Sequence, residues 1–252
     1  MGALAGTVAV VTGGAHSLGR AFCEALAGEG ADIAVADIRD GREAAAELAR
    51  RFRVRARSWQ FDVSDEAAVA AFAAEVAQAL GPVGILVNNA ALFAELPSVP
   101  FHAFPAELWD RVMAVNVKGA FLMAKHVAPM MIDRGRGKII NIGSGTAYKG
   151  MTEMVAYVTS KAAILGLTRC LARELGRHGV NVNTLAPGLI ESPSVLEHPH
   201  NLAPSEAVIR SRALQRRGVP SDLLGALVFL ASPASDFVTG QTLAVDGGSV
   251  TL

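Results

Sequence analysis

The chain has 252 residues, 51% of them apolar and 6% aromatic, and its 23 basic and 23 acidic residues leave no net charge. A chain of this length can bury about three-quarters of its unfolded surface, enough for one α/β domain with a large core. With neither a basic stripe nor an acidic tail, the charge balance argues against nucleic acid or an anionic membrane as a main partner.

The first apolar run, Val8–Val11, reads as a strand entering Thr12-Gly13-Gly14-Ala15-His16-Ser17-Leu18-Gly19 and then a helix over 18–29. Such a strand–turn–helix brings backbone close to a pyrophosphate and aims a helix N-terminus at it. Gly13, Ser17, Leu18 and Gly19 are therefore the expected phosphate contacts, although G-x-G-x-x-G is not met literally. The second run, Ile33–Ala36, ends at Asp37, 18 residues past Gly19, with Ile38 beside it. A carboxylate there accepts hydrogen bonds from adenosine ribose hydroxyls and repels a 2′-phosphate, so NAD is favoured over NADP. Arg39 is the counter-argument. A helix over 40–52 precedes a weaker strand, Arg55–Phe61, which ends at Asp62 and Val63, where the adenine amino group is expected.

Beyond a helix over 65–80, the strand Ile85–Val87 leads into Asn88-Asn89-Ala90-Ala91, and a long helix over 105–132 contains Asn116. The strand Ile139–Ile142 is followed by Ser144. In the next helix, 154–177, Tyr157 and Lys161 stand four residues apart and so share a face. A free phenol titrates near pH ~10, and a close ammonium favours the phenolate. Lowering it by about 2–3 units takes roughly 3–4 kcal/mol and yields a general acid/base usable near neutrality. The strand Val180–Ala186 runs into Pro187-Gly188-Leu189-Ile190-Glu191-Ser192, which opens an irregular stretch, 189–220, read as a substrate lid. A helix over 221–231 and a last strand, Thr242–Val245, complete the β-α alternation of a doubly wound parallel sheet.

No targeting segment is read at Met1–Thr7, and the longest apolar runs are strand-sized, so no membrane-crossing helix is expected. Cys23 and Cys170 are isolated and read as reduced thiols, and a cytoplasmic location is the resulting expectation. His198-Pro199-His200 lacks a third ligand, so no metal is expected.

Thr12 to Gly19, Asn88-Asn89-Ala90-Ala91, Asn116, Ser144, Tyr157-x-x-x-Lys161 and Pro187-Gly188, with Ser144 and Tyr157 13 residues apart, together resemble the short-chain dehydrogenase/reductase family. The likeness runs the length of the chain, down to Gly240–Gly248. It implies a single Rossmann-type domain over 1–252 with seven parallel strands, a homotetramer joined through 105–132 and 154–177, and hydride transfer between a nicotinamide and an alcohol or ketone. It also implies roles. Ser144 would position the substrate oxygen, Tyr157 would exchange the proton, and Lys161 would stabilise the phenolate and hold the nicotinamide ribose. Asn116 would hold a relaying water. Asn89 and Ala90 would lie beside the cofactor, with Pro187, Gly188, Ile190 and Ser192 against the nicotinamide carboxamide. Two residues depart from the family: Ser17 and Ala91 stand where it has glycine.

The residues expected around the nicotinamide, Leu92, Phe93, Thr146, Tyr148, Met151, Met154, Val195, Leu196 and Leu202, are largely apolar and suit a cyclic or aromatic secondary alcohol. The C-terminal third resembles aryl-alkyl alcohol dehydrogenases, and the lid motif is similar to that of pyridoxal 4-dehydrogenase, which oxidises a hemiacetal to a lactone. Two further readings stand beside these, a 3-oxoacyl thioester reductase and a dinucleotide-sensing module without turnover.

Overall fold

The central strands are continuous apolar runs, which suits a sheet covered on both faces. In the computed structural model, which describes residues 2–198 and 205–250, seven strands form one sheet. They are β1 (Val8–Thr12), β2 (Asp32–Asp37), β3 (Ala56–Gln60), β4 (Val83–Asn88), β5 (Gly137–Ile142), β6 (Val180–Pro187) and β7 (Thr242–Val245). All pairs are parallel, in the order β3-β2-β1-β4-β5-β6-β7. This is the Rossmann-type α/β arrangement the sequence predicts.

Alternate residues of each strand feed two cores. Ala9 and Val11 pack with Phe22, Leu26 and Leu48 of α1 (Ser17–Gly28) and α2 (Arg42–Phe52). Val8 and Val10 face the opposite side and the cluster of Phe72 and Val76 from α3 (Glu66–Leu80). Asp65 caps α3 by accepting from the amides of Ala67 and Ala68.

The expected helix over 105–132 is built in three parts: α4 (Ala106–Met113), a π-helical turn (Ala114–Lys118) and α5 (Gly119–Asp133). The π turn widens the helix around Asn116, a feature that often re-aims a functional side chain. The segment before the next long helix holds a short helix, α6 (Thr146–Lys149). Then comes α7 (Val155–Leu175), which buries Ala156, Ser160, Lys161, Ile164 and Thr168 and carries both Tyr157 and Lys161. With the turn after it, Val155–His178 is long and apolar enough to cross a membrane by length and composition, which corrects the expectation of strand-sized runs only. Its apolarity instead reflects packing against β6 and the presence of small residues.

The stretch 189–220 is less irregular than expected. It contains α8 (Pro193–Leu196) and α9 (Ser205–Arg210), and α10 (Ser221–Ala231) follows it. Its base is closed by pairing of Ile190 with Gly218 and by the buried Arg212, which donates to the carbonyls of Leu189 and Arg216. Pro199, His200, Asn201, Leu202 and Pro204 lie outside the described residues.

Candidate active site

The strand order reverses between β1 and β4, so the loops after these two strands meet at one crevice. Thr12 stitches them: its hydroxyl accepts from the amides of Asn89 (2.9 Å) and Ala90 (3.0 Å). Asn89 returns its side-chain amide to the carbonyls of Thr12 and Gly13. Asn89 thus braces the loop from behind. Gly13 has φ +64, and a Cβ on Gly19 would lie 1.9 Å from the Gly13 carbonyl oxygen, so neither position admits a side chain without moving backbone. His16, the N-cap of α1, makes no side-chain capping bond, and the first turn carries no acid. An uncapped helix start behind a turn kept bare at Gly13 and Gly19 fits a dinucleotide pyrophosphate.

Ser17 has φ +51, the left-handed region its glycine counterparts enter freely. Its hydroxyl accepts from the Ser194 amide at the start of α8, 3.3 Å away. Asp37 is 3% exposed at the end of β2. Its oxygens accept from the amides of Ala15 and Arg39, each at 2.9 Å, with His16 Nδ1 at 3.6 Å. Burial alone would raise its pKa, but these hydrogen bonds outweigh burial and hold the carboxyl below the ordinary carboxylate value. Ile38 beside it is exposed and Val63 is buried. Asp62, expected at the adenine, pairs with Arg111 at 2.6 Å and accepts from Ser64. Against a desolvation that raises it, those partners lower its pKa.

Ser144, Tyr157 and Lys161 come together. Ser144 follows β5, is buried, and accepts from the amide and hydroxyl of Thr146. Its hydroxyl acts on the Tyr157 phenol, lowering the pKa of that group against the effect of burial. Lys161, 4% exposed, donates to the Ile142 carbonyl at 2.7 Å and lies 5.6 Å from the centre of the Tyr157 ring. Phe93 packs on the same ring, with centroids 4.6 Å apart.

The side chain of Asn116 is held by protein partners. Its carbonyl oxygen accepts from the Leu92 amide, and its amide donates to the Leu92 carbonyl and Ser160 Oγ. Both amide protons are therefore committed to protein. Ser160 in turn donates to the Tyr157 carbonyl at 2.7 Å, so Asn116 ties the loop that carries Phe93 to the helix that carries Tyr157.

The pKa of Tyr157 is the second correction. Burial pushes the phenol up to about 12, only partly opposed by the Ser144 hydrogen bond, and burial pushes the Lys161 ammonium down to about 8. Desolvation penalises both charged forms and is the largest cause at each residue. At neutral pH Tyr157 is a neutral donor beside a charged lysine.

Pro187 ends β6, and Gly188 donates to the Val245 carbonyl. Ile190 and Ser192 are buried below the lid. Tyr148, Met151 and Leu196 are exposed, whereas Val195 is buried. Spacing gave no sign of Ser160, Arg111 or the Ile142 carbonyl, because these partners come from other elements. Among the described residues, no cluster of His, Cys, Asp or Glu could hold a metal.

The family model described as enoyl-(acyl carrier protein) reductase matches residues 13–250. The chain belongs to the short-chain dehydrogenase/reductase family. It is similar to sorbitol dehydrogenase of Cereibacter sphaeroides, with 38% identity across 98% of each chain. Galactitol 2-dehydrogenase of Agrobacterium fabrum is 38% identical, over 96% of each chain. Among solved structures, a gluconate 5-dehydrogenase from Burkholderia cenocepacia in complex with NADP and tartrate superposes with a TM-score of 0.89 at 38% identity, covering 98% of this chain and 96% of that one.

Proposed function

We propose that this short-chain dehydrogenase/reductase interconverts a secondary alcohol and a ketone with a nicotinamide dinucleotide. The observation that carries the reading is the buried grouping of Ser144, Tyr157 and Lys161, together with a first turn that admits no side chain at Gly13 or Gly19. When bound, the dinucleotide supplies or accepts the hydride. Gly13, Ser17, Leu18 and Gly19 hold its phosphates, Asp37, Ile38, Asp62 and Val63 its adenosine, and Asn89, Ala90, Pro187, Gly188, Ile190 and Ser192 its nicotinamide half. Ser144 donates a hydrogen bond to the substrate oxygen. Tyr157 delivers a proton to that oxygen in reduction, and in oxidation its ionised form takes the proton back. Lys161 holds the nicotinamide ribose and offsets negative charge on the phenol oxygen.

NAD is the preferred dinucleotide in this reading, because a buried anionic Asp37 at the ribose position opposes a 2′-phosphate. The NADP found in the Burkholderia relative makes this the point to test. Asp37→Asn keeps the shape and removes the charge, and the NADP-to-NAD ratio of kcat/KM is expected to rise about tenfold or more. An unchanged ratio refutes the role of Asp37.

The substrate we favour is a cyclic or aromatic secondary alcohol, on the strength of Phe93 packed over Tyr157. A polyol or sugar acid is the second reading, supported by the names of the relatives. Following NADH and NADPH absorbance across aryl and cyclic alcohols, sorbitol, galactitol, gluconate, pyridoxal and 3-oxoacyl thioesters separates these. Dinucleotide binding with no turnover of any of them would favour a sensing module. The assembly proposed is a homotetramer, working in the cytoplasm.

A further inference from the structure

Ser17 occupies a backbone conformation that suits glycine, yet it carries a hydroxyl with one clear use. The helix it meets, α8, begins at Pro193, which has no amide proton, and the Ser192 N-cap makes no side-chain capping bond. The next amide, that of Ser194, donates to Ser17 Oγ, a contact between residues 177 apart in the chain. The neighbouring Val195 is buried, so α8 is seated inward. A serine of the phosphate loop therefore supplies from outside the cap that the first lid helix lacks.

We propose that Ser17 is a positioning residue that latches α8 to the dinucleotide loop, so that the seating of α8 and dinucleotide retention rise and fall together. The second half rests on the dinucleotide reading above. Glycine at this position relieves the backbone but offers no acceptor. Alanine keeps the left-handed strain and also lacks the acceptor, so an effect shared by Ser17→Gly and Ser17→Ala belongs to the hydroxyl.

Hydrogen exchange on the full, ligand-free chain tests the latch. Amides of 194–198 are expected to exchange about fivefold faster in both variants, the change one lost cap produces. Exchange equal to that of the unmodified protein overturns the latch. So does an increase spread over the whole chain, which would mean general destabilisation. Hydrogen exchange repeated with saturating NADH then tests the coupling: NADH is expected to protect amides 194–198 in the unmodified chain and to protect them at least about fivefold less in both variants, and equal protection overturns it. If the unmodified chain bound neither NADH nor NADPH, the dinucleotide reading and the coupling would fall together, while exchange in the free protein would still decide the latch.

Discussion

At the level of single residues, the site is set by desolvation competing with charge. Tyr157 and Lys161 are both buried, and burial drives their pKa values apart, to about 12 and about 8. Tyr157→Phe removes the transferable proton while keeping the ring that Phe93 packs against. Turnover is expected to fall by at least about a thousandfold, with dinucleotide affinity within about threefold, read by NADH fluorescence titration. Residual activity near the original would remove Tyr157 from proton transfer. Lys161 also leaves a mark on stability. In the folded chain it releases its proton near pH 8, whereas unfolded it keeps the proton to about 10.5. Across that window the unfolded state binds more protons, so stability rises with pH from about 8 toward about 10. Above about 10 the raised Tyr157 acts the other way, because the unfolded phenol ionises first. Lys161→Met abolishes the rise, so its melting temperature should be flat between pH 8 and 10 where that of the original climbs. The side-chain spacing gave the pairing of these two residues correctly. It gave the wrong direction for the phenol, because spacing carries no information on how deeply α7 is buried.

At the level of elements, Gly13 and Gly19 of the first turn decide whether the proposed dinucleotide cradle exists. Gly19→Ala places a methyl 1.9 Å from the Gly13 carbonyl oxygen, a clash with backbone that no rotamer relieves. It is expected to lower the melting temperature and to weaken dinucleotide binding at least about a hundredfold. Binding retained within tenfold would mean the phosphates lie elsewhere. The end of α2 gives the opposite case. Arg53 sits at φ +58 just past the helix, a left-handed C-cap where glycine is preferred, and its side chain is exposed. Arg53→Gly should add about 1 kcal/mol of stability in urea titration, with activity unchanged. Strands and long helices were legible because apolar runs bounded by turns have few alternatives. The π turn at Asn116 and the short helices α6, α8 and α9 were not, since each depends on partners far away in the chain. The Ser17 departure was visible as a departure, but its bond to Ser194 joins segments that only the fold brings together.

At the level of the whole molecule, α5 and α7, which flank the proposed site, also carry exposed apolar or small residues. Phe121 on α5 is 45% exposed, and the outer side of α7 is lined by Ala162, Gly166 and Cys170, small enough for a second helix to approach closely. A separate apolar patch, Phe237 at 104% exposure with Phe229 and Leu243, lies by the edge strand β7. Two such faces on one chain permit two kinds of pairing and hence the proposed homotetramer. Light scattering on the purified protein is expected to give four times the chain mass of 26.2 kDa. Phe121→Asp puts a charge into the α5 and α7 contact alone and should yield dimers held by the β7 side, while Phe237→Asp should yield dimers held by the helices. The two dimers should differ in activity, because only the helical contact presses on the elements that carry Asn116, Tyr157 and Lys161. The Phe121→Asp dimer should therefore lose most of its turnover and the Phe237→Asp dimer little. A monomeric unmodified protein, or two variants that both remain tetramers, would reject these faces as interfaces.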